Sequence, residues 1–277
     1  MPENVKKHFL GPKFGLSGFR ALTGQYNKPL FGSIVKPKIG ITPQVLLEMV
    51  KQMVDGGVDF IKEDEIMSNP ACAPLDQRVD IIANYLAKQS RKIVFCHTIN
   101  CDPHIVIDRV KRVYELGGIG VHINVFSGLG VYNSIRKLDL PIYLHFQKSG
   151  DKVFTDRSHR FSISWTVICQ LATLMGVDTI QTGMIGGYSN DDPSELANSI
   201  QILREGNTTP VLSCGFHPGL VDKITSLVGN DYMANVGGAV HGHPNGTVAG
   251  ALAMRQSIDK KYQEEYYTAI NKWGLVS

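Results

Sequence analysis

The chain has 277 residues, 43% of them hydrophobic, which is enough for a large buried core; a barrel can hold about 200–250 residues as one domain. Its 28 Lys+Arg against 25 Asp+Glu leave a formal charge of +3 spread along the chain, with no basic block beside aromatic residues, which argues against nucleic-acid binding. No stretch reaches the ~18 uninterrupted apolar positions of a membrane span, and no apolar run follows the lysines of "MPENVKKHFLGPKFGLSGF", so neither a membrane partner nor a targeting segment is expected. The five cysteines (Cys72, Cys96, Cys101, Cys169 and Cys214) form no C-x-x-C pair, and free thiols in a reducing cytoplasm are predicted.

Residues 1–29 read as a leader, followed by a regular alternation over residues 30–277 that ends in a helical tail, "IDKKYQEEYYTAINKWGLVS". "LFGSIVKPK" reads as a buried strand and "TPQVLLEMVKQMVDGG" as a helix, with Thr42 as N-cap, Pro43 at the first helical position and glycines at the stop. "VDFIKEDE" precedes the helical "PLDQRVDIIANYLAKQS", and "KIVFCHTIN" precedes "PHIVIDRVKRVYELGG". "IGVHINVF" leads into "GVYNSIRKL", "PIYLHFQ" into "SISWTVICQLATLMG", and "DTIQTGM" into "DPSELANSIQILREG". "PVLSCG" leads into "GLVDKITSLVG", and "YMANVGGAV" into a helix after "HGHPNG".

Consecutive β/α units with short connections and continuous apolar strands predict a (β/α)₈ TIM barrel. The competing open doubly wound sheet usually carries a glycine-rich dinucleotide turn after its first strand, whereas this strand ends in "KPKIG". The leader and tail are expected to pack across the barrel ends. Barrel enzymes place chemistry at the carboxyl ends of the strands. Those ends carry Lys36 and Lys38; Lys62, Asp64 and Glu65; His97 and Asn100; His122 and Asn124; His145 and Gln147; Gln181 and Thr182; Ser213 and Gly215; and Gly237, Gly238, His241 and His243.

Side chains alternate along a strand, so Lys62 and Asp64 point the same way and Glu65 can join them as the strand breaks into a loop. Clustered carboxylates suit a hard cation such as Mg²⁺; the plainer alternative is a Lys62–Asp64 rim salt bridge with Glu63 and Glu65 solvated. Lys36 and Lys38 would face the same mouth, where a lysine near other cations can serve as a general base. "SCGFHPG" and "NVGGAVHGHPNG" offer small residues and backbone amides after strands seven and eight, the usual phosphate position of this fold, although Gly237 and Gly238 would also suit close packing. His241 and His243 are read as hydrogen-bonding loop residues rather than zinc ligands, because no Cys or third nearby His completes a set. His145 is open to a site role or a core role.

"GSIVKPKIGIT", "GGVDFIKEDE", the strand-five "LHF", "SCGFHPG" and "GGAVHGHPNG" together resemble, in order and spacing, the catalytic barrel of the ribulose bisphosphate carboxylase large chain and its relatives, the RuBisCO-like proteins. The resemblance implies that Lys62 is carbamylated by CO₂, and that this carboxylate, with Asp64 and Glu65, holds Mg²⁺ against the oxygens of a phosphorylated keto sugar. It further implies Lys36 as the enolising base, His145 as an active-site histidine, Ser213, Gly215, Gly237 and Gly238 as phosphate-binding positions with Lys38 beside them, and a homo-oligomer, a dimer in this family.

Two departures from the family pattern stand out. Where the carboxylases carry a loop lysine after strand six, this chain reads "TGMIGGYSNDD", with Tyr188 at the expected place, so CO₂ fixation is not expected. The wording "VHGHPNG" looks more like the RuBisCO-like enolases of methionine salvage, which act on a diketo methylthiopentyl phosphate; other relatives isomerise methylthioribulose phosphate or decarboxylate branched sugar acids, which keeps a decarboxylase of a phosphorylated sugar acid as an alternative. The family also carries an amino-terminal domain, expected to be absent from this chain, which starts almost at the barrel. A catalytically silent barrel acting in assembly is the competing reading.

Overall fold

The computed structural model describes residues 2–186 and 191–276; Tyr188 lies outside the described residues. Among the described residues, parallel strands β1 (Leu30–Ile34), β2 (Phe60–Lys62), β3 (Val94–Thr98), β4 (Gly120–Asn124), β5 (Tyr143–Gln147), β6 (Thr179–Gly183), β7 (Thr209–Leu212) and β8 (Met233–Val236) close in sequence order into a barrel, with β1 pairing β8. The expected (β/α)₈ architecture is what the chain adopts. The first helix shows how local chemistry sets the units: Pro43–Asp55 starts at Thr42, whose hydroxyl accepts the Val45 amide, and stops at Gly56. No described helix is long and apolar enough to cross a membrane.

Alternation along the strands divides the side chains between two apolar environments. Outward residues such as Phe31, Ile61, Phe95, Val121 and Leu144 pack under the surrounding helices. Inward residues at the amino ends of the strands, Leu30, Phe60, Val94, Tyr143, Val211 and Met233, form a floor. The leader covers that floor with a helix, Gly15–Thr23, whose Phe19 is fully buried 5.5 Å from the Tyr143 ring. Asp178 ties the leader down, one carboxylate oxygen accepting the amides of Phe14 and Gly15 at 2.8 and 3.0 Å, and the other accepting Arg136 at 2.7 Å. Gly15 has φ +57°, and a Cβ there would lie 1.8 Å from the Asn207 carbonyl oxygen, so only glycine fits. At the other end, the tail helix Glu264–Trp273 lies against the helix Gly246–Asp259.

One charged contact sets the direction of the strand-two end. Glu63, fully buried, points outward; its Oε1 accepts Arg78 Nε at 3.0 Å and sits 3.2 Å from His97 Nδ1, while Oε2 accepts the Thr98 amide at 2.9 Å. Burial alone would raise its pKa, yet Arg78, His97 and the Thr98 amide outweigh it and hold the carboxyl below its ordinary value. Glu63 is therefore not a solvated rim charge. Arg78 also donates to the carbonyls of Ala73 and Ser68, which fastens the loop after β2. We expect Arg78→Met to destabilise the chain by about 3–5 kcal/mol, because it strands a buried carboxylate. Urea denaturation measures this, and a loss below about 1 kcal/mol would mean that Glu63 finds a substitute partner.

Candidate active site

The carboxyl ends of the strands enclose a cavity of about 450 Å³. It is lined by Lys36, Lys38, Asp64, Glu65, Ser213, Gly215, Gly237 and Gly238, so eight sequence-predicted site residues from strand ends β1, β2, β7 and β8 converge. Lys62 and His145 do not line it. Lys62 projects inward beneath the two carboxylates with no exposed surface; its Nζ lies 3.6 Å from Glu65 Oε2 and donates to the Glu63 carbonyl at 3.1 Å. Lys36 reaches across from β1, and its Nζ lies 2.6 Å from Asp64 Oδ2. The lysine that pairs with Asp64 is thus Lys36, not Lys62.

Electrostatics at this cluster follow from depth. Burial pushes the Lys62 amine below its ordinary pKa, with the nearby Glu65 and Asp64 carboxylates opposing the shift and Lys36 adding to it. For Glu65, burial acts to raise the pKa, but the Lys62 ammonium and the Ser149 hydroxyl outweigh it and hold the carboxyl low. Around Lys62 lies a buried polar layer. His145 bonds Thr179 Oγ1 through Nδ1 at 2.8 Å, and its Nε2 has no partner among the described residues; His122 has none at either nitrogen. Burial, and then the Lys62 charge, push both imidazoles well below their ordinary pKa, so both are neutral near pH 7.

The residue that β5 delivers to the cavity is Gln147, two positions beyond His145. The strand tilts upward toward the mouth, and His145 ends one layer too deep. His97 belongs to the Glu63 contact, and His243 stitches the tail by donating from Nε2 to the Glu265 carbonyl at 3.0 Å. His241 donates from Nε2 to the Ile34 carbonyl at 2.9 Å, so both of these histidines hold loops, as expected. Among the lining residues that escaped sequence reasoning are Asn235, Ser149, His217 and Trp273. Asn235 could have been found as a polar residue at an inward position of an apolar strand, and Ser149 as the position two beyond Gln147. Trp273 carried no signal, because a tail helix brings it in.

The donor set can be tested against a divalent ion. Among the described residues no group of three or more His, Cys, Asp and Glu is placed to hold a metal. Asp64 and Glu65 supply two hard oxygen donors, and the third within reach is the Lys62 amine, a poor ligand for Mg²⁺ unless it becomes a carboxylate. Burial that lowers the Lys62 pKa eases the loss of the proton that carbamylation requires. The residues therefore fit Mg²⁺ together with a Lys62 carbamate.

Comparison with known proteins places the whole chain among its relatives. Residues 15–273 match the model of the ribulose bisphosphate carboxylase large chain, catalytic domain. A 2,3-diketo-5-methylthiopentyl-1-phosphate enolase of Exiguobacterium sibiricum is 31% identical over 299 residues, covering 99% of this chain and 75% of the relative. A ribulose bisphosphate carboxylase of Archaeoglobus fulgidus is 28% identical over 316 residues, covering 100% of this chain and 71% of the relative. Among solved structures, the octameric ribulose-1,5-bisphosphate carboxylase/oxygenase of Pyrococcus horikoshii superposes with a TM-score of 0.92 at 28% identity, covering 100% of this chain and 70% of that one. The chain belongs to the ribulose bisphosphate carboxylase large-chain family.

Proposed function

We propose that the protein is a RuBisCO-like enolase: it removes a proton from the carbon next to a carbonyl in a phosphorylated keto compound such as 2,3-diketo-5-methylthiopentyl 1-phosphate, and does not fix CO₂. The observation that carries this reading is the convergence of Lys36, Asp64 and Glu65 in one cavity above a fully buried Lys62. As the free amine, Lys62 Nζ adds to the carbon of CO₂ and releases one proton, giving a carbamate beside Asp64 and Glu65. A Mg²⁺ ion held by these three groups would polarise the substrate carbonyl. With Asp64 turned to the cation, Lys36 Nζ at the cavity wall would leave its ion pair, give its ammonium proton to solvent and, as the free amine, accept the carbon-bound proton while the electron pair moves to the carbonyl oxygen.

The adjoining wall, at the ends of β7 and β8, suits the phosphate. Gly238 faces open space, where a Cβ would meet nothing within 4 Å, and Gly237 lies against Lys36 and Ile34, so backbone amides are accessible beside a lysine. Ser213, Gly215 and Lys38 border the same region. That one relative is named an enolase while others at similar identity are named carboxylases leaves the loop after β6 to discriminate. Its sequence, "TGMIGGYSNDD", holds no lysine to steady a carboxylated product. A homo-oligomer is proposed with it, supported by the octameric state named for the Pyrococcus horikoshii relative.

Mg²⁺ with bicarbonate should stabilise the chain against heat by about 2–3 kcal/mol at ~100 times its dissociation constant. Lys62→Ala should abolish the effect, and an equal shift in the variant would remove Lys62 from the site. In D₂O with Mg²⁺ and CO₂, a panel of methylthioribulose, diketo methylthiopentyl and ribulose phosphates followed by NMR should include one whose carbon-bound proton exchanges. Lys36→Met should reduce that exchange by at least ~10²-fold while the phosphate still binds. Labelled CO₂ offered with ribulose bisphosphate should yield no labelled three-carbon acid; its appearance would sink the enolase assignment. If nothing on the panel binds or exchanges and Mg²⁺ does not bind, a silent barrel acting in assembly becomes the better reading.

A further inference from the structure

Glu65 is held from two sides by groups that the family resemblance does not single out. Its backbone carbonyl accepts Asn100 Nδ2 at 2.7 Å, and Asn100 Oδ1 accepts the Asn124 amide at 2.8 Å. Asn124 Nδ2 donates to the Ser149 carbonyl at 2.8 Å, so one run of bonds ties the carboxyl end of β4 to the segments that follow β2, β3 and β5. Ser149 then closes the ring: its Oγ donates to Glu65 Oε1 at 2.5 Å. Gln147 Nε2 donates to that same Oγ at 2.7 Å. Because the Gln147 amide takes up a lone pair of the hydroxyl, the hydroxyl proton is committed to Glu65. The other carboxylate oxygen, Oε2, is the one that faces Lys62 Nζ.

The turn that presents Ser149 is itself specified. Gly150 has φ +88°, and a Cβ there would come within 2.3 Å of the Phe126 ring, so glycine alone permits the ring to close over the turn. A carboxylate with neither oxygen held can rotate about its last torsion and share both oxygens with the Lys62 ammonium. Ser149 removes that freedom.

We propose that Ser149 is a positioning residue for metal binding: it occupies one oxygen of Glu65 and keeps the other turned toward Lys62, where a divalent cation would be held. The inference rests on the enolase reading above and adds to it a residue whose hydroxyl acts through Glu65. Hydrogen-bonding partners of metal-binding carboxylates typically contribute about 10–100-fold to metal affinity.

The test is calorimetric titration of Mg²⁺ into the full chain in bicarbonate-saturated buffer, paired with ¹³C NMR of the carbamate under ¹³CO₂, for the wild type, Ser149→Ala and Ser149→Thr. Ser149→Ala should weaken Mg²⁺ binding about 10–100-fold with an unchanged metal-free melting temperature, and Ser149→Thr, which keeps the hydroxyl, should recover most of the affinity. Binding in the alanine variant within about twofold of wild type overturns the inference, as does a threonine variant no better than alanine. Weaker binding that comes with an equal loss of metal-free stability also overturns it, since Ser149 would then be a structural residue. A wild-type chain that takes up neither CO₂ at Lys62 nor Mg²⁺ brings down the enolase reading and this inference with it.

Discussion

The end of strand two depends on Glu63 being pinned outward. Lys62, Glu63 and Asp64 are consecutive, and a pleated backbone must send the middle one to the opposite face. Arg78, His97 and the Thr98 amide engage both oxygens of the fully buried Glu63 carboxylate. A slip of one residue would bring Glu63 into the barrel and turn Lys62 and Asp64 toward the helices, leaving the guanidinium buried and unpaired. The strand end is thereby locked in the one register that delivers an amine and a carboxylate inward.

Above that lock the barrel is organised by depth. Its floor is apolar and covered by the leader, so Lys62 has no solvent below it. The next layer is polar but uncharged apart from Lys62 itself: His122 and His145 are neutral, and the Asn235 amide has no partner at either atom among the described residues. Such a layer lets an amine exist at the bottom of the site while contributing no fixed charge to compete with it. The formal charges sit higher, on Lys36, Asp64 and Glu65, where the cavity opens. Position along the strands, rather than an unusual residue, sets a fully buried Lys62 below and the carboxylates above.

Ser149, Asn100 and Asn124 extend the same logic sideways. Each stands at or just past the end of a different strand, and their mutual bonds hold the loop carrying Glu65 to its neighbours. The tail works similarly from the far side: His243 and Lys272 bond it to the barrel, and Trp273 becomes part of the cavity wall.

Much of this was legible in the sequence because it is written in short-range chemistry. Alternating apolar runs, the Thr42–Pro43 helix start and glycine stops define the β/α units, and the strand-end residues, read in order, include Lys36, Asp64, Glu65, Ser213 and Gly237. Side-chain alternation also indicated that Lys62 and Asp64 share a face. It could not say how deep each residue lies: barrel closure tilts and staggers the strands, and that stagger carries Gln147 rather than His145 to the cavity and leaves Lys62 beneath it. Nor could it find contacts between distant segments, such as Arg78 on Glu63, Ser149 on Glu65 or Trp273 on the cavity. The sequence by itself determined the repeating units and the polar character of their ends, because periodicity and caps act over a few residues. The tertiary structure alone decided depth and partnership, because both arise only when the eighth strand pairs with the first.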